Sequence, residues 1–120
     1  MSTQGNINYF EVSAPGANCG YEWKVYCYYE NGNGQYSEVD CNVTGAAGNN
    51  KFVPLDGLGI PDGANIYIYI DVVGGSNQTG TQIFTYTEGA SANDNCASYT
   101  TSGSTLINTL TYNGLVSYSG

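Results

Sequence analysis

Tyr67, Tyr69 and Asp71 stand two residues apart, as do Tyr26 and Tyr28, and again Tyr36, Glu38 and Asp40. Residues at that spacing line one face of a β-strand. Rings and carboxylates on one extended face make a stiff, amphipathic surface with few rotors to freeze. The chemistry on offer is recognition: a sugar ring lays its axial C–H groups on an aromatic face and turns its hydroxyls to nearby Asp, Asn or Gln. The loop Ser76-Asn77-Gln78-Thr79 brings amides and hydroxyls to border such a ligand, as does Asn49-Asn50. We therefore expect Tyr67, Tyr69, Asp71, Asn77, Gln78, Tyr36 and Asp40 to contact it. Read as structure alone, the same tyrosines fill cross-strand pairs worth about 0.2–1 kcal/mol each. The Tyr26, Tyr28, Tyr36 group suits a homodimer contact equally well, because tyrosine is enriched in interface cores.

Proton-transfer chemistry has little to work with. The 120 residues include no histidine and no arginine, and Lys24 and Lys51 are the only cations against ten carboxylates. Ser-His and Cys-His nucleophile systems and His-bearing zinc sites are excluded, as is a bidentate fork for phosphate. A carboxylate pair can hydrolyse a glycoside without histidine, but no pair here is marked out by spacing. We expect a protein that is not an enzyme. Its formal charge of −8 argues against nucleic acid and anionic membrane as partners, and no window has the ~18 apolar residues of a membrane span.

Asp56, Asp62 and Asp94 sit on Gly- and Asn-rich turns and are candidate Ca²⁺ ligands, although the spacing of an EF-hand is missing. The same residues build Asx turns. Cys19, Cys27, Cys41 and Cys96 contain no C-x-x-C pair. The extracellular look of the composition makes them disulfide candidates, and Cys27 with Cys41 is the pair that strand parity places on one inner face. As free thiols they would be small buried hydrophobes. Asn42-Val43-Thr44 and Asn77-Gln78-Thr79 match the glycosylation sequon. Met1 to Asn6 shows neither the basic nor the apolar region of a signal peptide. The compartment stays open between cytosol and a mature secreted form, with composition favouring the latter.

The elements that must position these residues read as strands throughout, because Gly interrupts any helical period and alternation recurs. Strands are expected at Asn8–Val12, Tyr21–Glu30, Gln35–Val43, Lys51–Leu55, Asn65–Val73, Thr81–Glu88, Cys96–Thr101, Thr105–Tyr112 and Leu115–Tyr118, with a tight turn at Asn113-Gly114 joining the last two. Tyr21, Trp23, Val25, Cys27 and Tyr29 form one core row; Ile66, Ile68, Ile70 and Val72 form another. Matching the rows on either side of Asn31-Gly32-Asn33-Gly34 requires opposed residues to share parity, hence a three- or five-residue loop. Short connections favour antiparallel pairing.

The expected architecture is a single all-β domain over 1–120, an antiparallel β-sandwich of jelly-roll or immunoglobulin-like type with eight or nine short strands. The composition resembles that of small β-sandwich lectins, a general likeness that transfers no residue. The function expected is a small lectin for neutral glycans or glycoconjugates, a homodimer gaining avidity from paired sites and capable of haemagglutination. The competing expectation is a surface structural, adhesion or secreted effector protein acting through protein–protein contacts. Ice binding through Thr85 and Thr87, or Thr105, Thr109 and Thr111, is weaker, since Ile107 interrupts the longer row.

Overall fold

A computed structural model describes residues 3–91 and 93–119, and every regular element among them is a β-strand. In chain order the strands are β1 (Asn6–Ile7), β2 (Tyr9–Ser13), β3 (Trp23–Glu30), β4 (Tyr36–Gly45), β5 (Asn50–Pro54), β6 (Asn65–Val72), β7 (Gln78–Thr79), β8 (Phe84–Tyr86), β9 (Cys96–Gly103) and β10 (Asn108–Val116). They form two mixed sheets. One runs β1-β8-β6-β3-β4, with β7 also on β6; the other runs β10-β9-β2-β5.

Alternation explains the layering. Ile66, Ile68, Ile70 and Val72 on β6, with Trp23, Val25 and Cys27 on β3, are all at most 1% exposed. Phe10, Val12, Val53, Ala97 and Tyr99 bring the inner face of the second sheet to the same core. Phe10 sits edge-on to Phe84 of the first sheet at 6.3 Å and to Tyr99 at 6.2 Å. The chain passes from one sheet to the other at Asn8, between β1 and β2. That residue is 3% exposed, and its side chain donates to Asp56 and accepts from Asn95, so the corner leaves no buried amide orphaned.

The β3–β4 hairpin has the expected parity: Glu30 faces Tyr36 across a five-residue loop, and Cys27 faces Val39. After Asp40 the ladder slips, and Val43 rather than Cys41 faces Val25. The extra residues, Cys41 and Asn42, form a bulge in which Asn42 takes φ = 60° and donates its N–H to Asp40 Oδ1 at 2.8 Å. Cys41 turns inward and is buried.

Three expectations need correction. The sheets are not wholly antiparallel, because β1 runs parallel to β8 and β2 parallel to β9. Short loops dictate antiparallel pairing only between neighbours in sequence; β2 and β9 are joined through most of the chain. Asn113-Gly114 is not a turn between two strands but a bulge inside β10, with Tyr112 facing Tyr99 and Gly114 facing Ser98. Thr81–Glu88 shrinks to β8, while β7 pairs with Tyr69 and Ile70 of β6. Gly80, between them, hydrogen-bonds Ile68 O and lies so close that an added Cβ would meet the Ile68 side chain.

Candidate functional site

The candidate site is the outer face of β4, β3 and β6. Pairing these three strands in register brings together two residue groups that the sequence presents separately. Tyr28 faces Tyr67 on one side and Glu38 on the other; Tyr26 faces Tyr69 and Asp40. With Tyr36, five tyrosines share one surface. The Tyr28 and Tyr67 rings stack at 5.1 Å with 4° between planes. Tyr69 stands edge-on to Tyr28 at 5.5 Å and to Tyr26 at 6.3 Å, and Tyr36 tilts against Tyr67 at 5.1 Å. Such pairs favour one another by about 0.5–1.5 kcal/mol beyond simple burial. All five are half-buried, while Glu38 and Asp40 are exposed.

Polar groups ring the aromatics. Tyr28 donates its hydroxyl to Glu38 Oε2 at 2.7 Å. Asn77 donates to the Tyr69 hydroxyl at 2.8 Å and accepts the Val72 N–H at 2.9 Å. Asn65 donates to Glu30 at 3.1 Å. Asp71 faces Lys24 across the β3–β6 pair. The bond to Glu38, and then burial, push the Tyr28 phenol up to about 12. Burial, followed by the charges of Asp40 and Asp71, raises Tyr26; burial, then Glu30, raises Tyr36. Burial also raises Tyr67. These hydroxyls are neutral at physiological pH and can both donate and accept, whereas the carboxylates accept only.

Of the residues singled out in the sequence, Tyr36, Asp40, Tyr67, Tyr69, Asp71 and Asn77 meet on or at the border of this face. Gln78 does not. It is 6% exposed, accepts from Thr101 at 2.8 Å and donates to Asn108 at 2.8 Å. The reason is strand alternation, since β7 turns Gln78 inward and Thr79 outward. Asp40 carries a structural duty as well, because one of its oxygens holds the β4 bulge. Asn65 and Glu30 join the border without having been singled out as binding residues; Asn65 shares the parity of Tyr67, Tyr69 and Asp71, the signal that marks it.

The calcium candidates are otherwise engaged. Asp56 accepts from the Tyr86 hydroxyl at 2.6 Å, from Asn8 at 3.1 Å and from Gly89 N–H at 3.2 Å. Burial alone would raise its pKa, but these hydrogen bonds together hold the carboxyl below its ordinary value. Asp62 accepts the Glu88 N–H at 2.9 Å, and Asp94 takes φ = 54° in a turn pinned to Ser117. Among the described residues no group of three or more Cys, Asp or Glu side chains is placed to hold a metal ion. All four cysteines are free and buried rather than bridged. The hairpin register sets Val39, not Cys41, opposite Cys27, and the bulge then sets Val43, not Cys41, opposite Val25. Burial, then neighbouring negative charge, pushes the Cys41 and Cys96 thiols up to about 12, so they are inert as nucleophiles near neutrality.

Compared with protein-family models, with curated proteins and with solved structures, the chain matches none.

Proposed function

We propose that this protein is a non-enzymatic lectin that grips neutral glycans on the tyrosine face of β4, β3 and β6. The observation that carries the reading is the convergence there of Tyr26, Tyr28, Tyr36, Tyr67 and Tyr69 with Glu38, Asp40, Asp71 and Asn77. Ring faces take up sugar C–H groups, and the carboxylates, amide and neutral phenols take up hydroxyls. A border rich in carboxylates disfavours sulfated or sialylated ligands, by repulsion between like charges. The finer architecture we infer is a sandwich whose two sheets enclose the core and leave this face to solvent. A homodimer would raise avidity for clustered glycans.

Haemagglutination with a panel of inhibitory neutral sugars, with and without EDTA, tests the reading. Agglutination blocked by a neutral sugar, indifferent to EDTA and weakened by Tyr67→Ala, is expected. No agglutination together with no glycan binding above background would refute it.

A second reading, an adhesion or structural protein acting through protein contacts, draws on the side-by-side packing of the tyrosines, which uses part of each ring internally. Leu106 and Ile107, 72% and 82% exposed at the β9–β10 tip, would add an apolar contact. Self-association that depends on concentration and ignores every sugar would favour it over the lectin.

A further inference from the structure

The chain's two cations converge. Lys24 on β3 and Lys51 on β5 line one recess of about 390 Å³ where the chain crosses from the first sheet to the second, walled also by Trp23, Thr44 and Gly45. In a protein of net charge −8, that sets both positive groups in a lining with one carboxylate, Glu22, while Asp71 faces Lys24 from the neighbouring strand. Lys51 has the parity of the core residues Val53 and Leu55 and is half-buried, whereas Lys24 is exposed.

A second observation points to a ligand. Trp23 is 0% exposed, yet its indole Nε1 finds no hydrogen-bond acceptor among the described residues. Buried polar groups are nearly always paired, and an orphan among them calls for an explanation. Gly45 lies against the six-membered ring of this indole; a Cβ there would meet Cζ2 first, then Cη2 and Cε2, the last of which is bonded to Nε1. Only a glycine lets this wall of the recess come so close to the Trp23 ring.

We propose that this recess binds a small carboxylate-bearing ligand between Lys24 and Lys51, with the Trp23 N–H as an additional donor. The volume sits at the small end of ligand pockets, about 300–1,000 Å³. The surrounding negative charge selects against polyanions, and without arginine there is no fork for a phosphate. A monoanion with two adjacent acceptor oxygens is what two point cations and one N–H can hold. The same carboxylate can come from a free acid, a peptide C-terminus or a uronic acid.

Trp23 is the only tryptophan, so its fluorescence reports on the recess. The full chain is titrated with sodium acetate, N-acetylglycine and glucuronate at constant ionic strength, with chloride and neutral glucose as controls. A saturable change in Trp23 emission with at least one carboxylate and with neither control is expected; the arm that binds tightest identifies the source. Lys51→Met and the Lys24→Met, Lys51→Met pair, which keep the aliphatic stems, should raise the half-saturation concentration at least about tenfold while leaving the thermal midpoint near that of the parent. No saturable response, an equal response to chloride, or a response unchanged in the double variant would overturn the proposal.

Discussion

At the scale of single residues, position on a strand separates side chains that hold the protein together from those available to a ligand. Ile68 and Asp71 lie three apart on β6, one wholly buried and one half-exposed on the tyrosine face. Ile68→Ala empties a site enclosed on all sides and should lower unfolding free energy by about 2–5 kcal/mol. Asp71→Ala removes a surface carboxylate and should change stability by no more than about 0.5 kcal/mol, while weakening glycan binding. Urea unfolding read beside a sugar-inhibition assay distinguishes them. Tyr67 belongs to both categories. Its ring packs on Tyr28 and Tyr36, so Tyr67→Ala should cost about 1–3 kcal/mol, counting two aromatic pairs, in addition to any loss of binding. A binding defect from Tyr67→Ala is therefore interpretable only beside the Asp71→Ala result.

At the scale of elements, the β4 bulge is what lets one long strand serve two purposes. Up to Asp40 the hairpin register holds Tyr36, Glu38 and Asp40 on the outer face; beyond it the bulge shifts the ladder so that Val43, in place of Cys41, meets Val25. Asn42 takes left-handed geometry there, which Asn and Gly tolerate and β-branched residues do not. Asn42→Val should therefore cost about 1–3 kcal/mol, and Asn42→Gly should stay close to the parent, as measured by denaturant midpoints. The core rows of β3 and β6 were legible in the sequence because apolar residues alternate there without a break, and Trp23 followed from its parity with Val25 and Cys27. The tyrosine face was legible only in halves: Tyr67, Tyr69 and Asp71 as one row, Tyr26, Tyr28, Tyr36, Glu38 and Asp40 as another. Joining them requires β3 to pair with β6 across more than thirty intervening residues, and local alternation carries no information about such partners. The same limit hid the parallel β2–β9 pair. Bulges misled in another way: Asn113-Gly114 has the composition of a hairpin turn, yet Gly114 at φ = 103° serves a mid-strand irregularity instead. Gln78 read as a loop amide because nothing local announces a two-residue strand whose inward position faces Thr101.

At the scale of the whole molecule, stability should depend on pH in a way that follows from how many phenols and thiols the fold keeps protonated. Burial raises Cys27 and Tyr99, and also Tyr86, where the bond to Asp56 adds to it; Cys41, Cys96 and Tyr28 are raised to about 12. In the unfolded chain these groups ionise at ordinary values, about 8.5 for Cys and about 10 for Tyr. Above those values the unfolded state binds fewer protons than the native one, so unfolding free energy falls as pH rises. Stability should hold to about pH 8 and decline progressively above about pH 8.5, first through the buried thiols and then, above about pH 10, through the phenols. On the acid side Asp56 has the opposite sign. Its native pKa is lowered, so its contribution is present above the unfolded value of about 3.9 and is lost as pH falls below it. Asp56 and Tyr86 share one hydrogen bond, which links the two limbs. Asp56→Asn should flatten the acid limb by removing the titrating carboxyl, and soften the alkaline limb because Tyr86 loses the partner that helps raise it. Urea titrations across the pH range, with tyrosinate absorbance followed in parallel, test this. An unchanged alkaline limb in Asp56→Asn would assign the Tyr86 shift to burial alone.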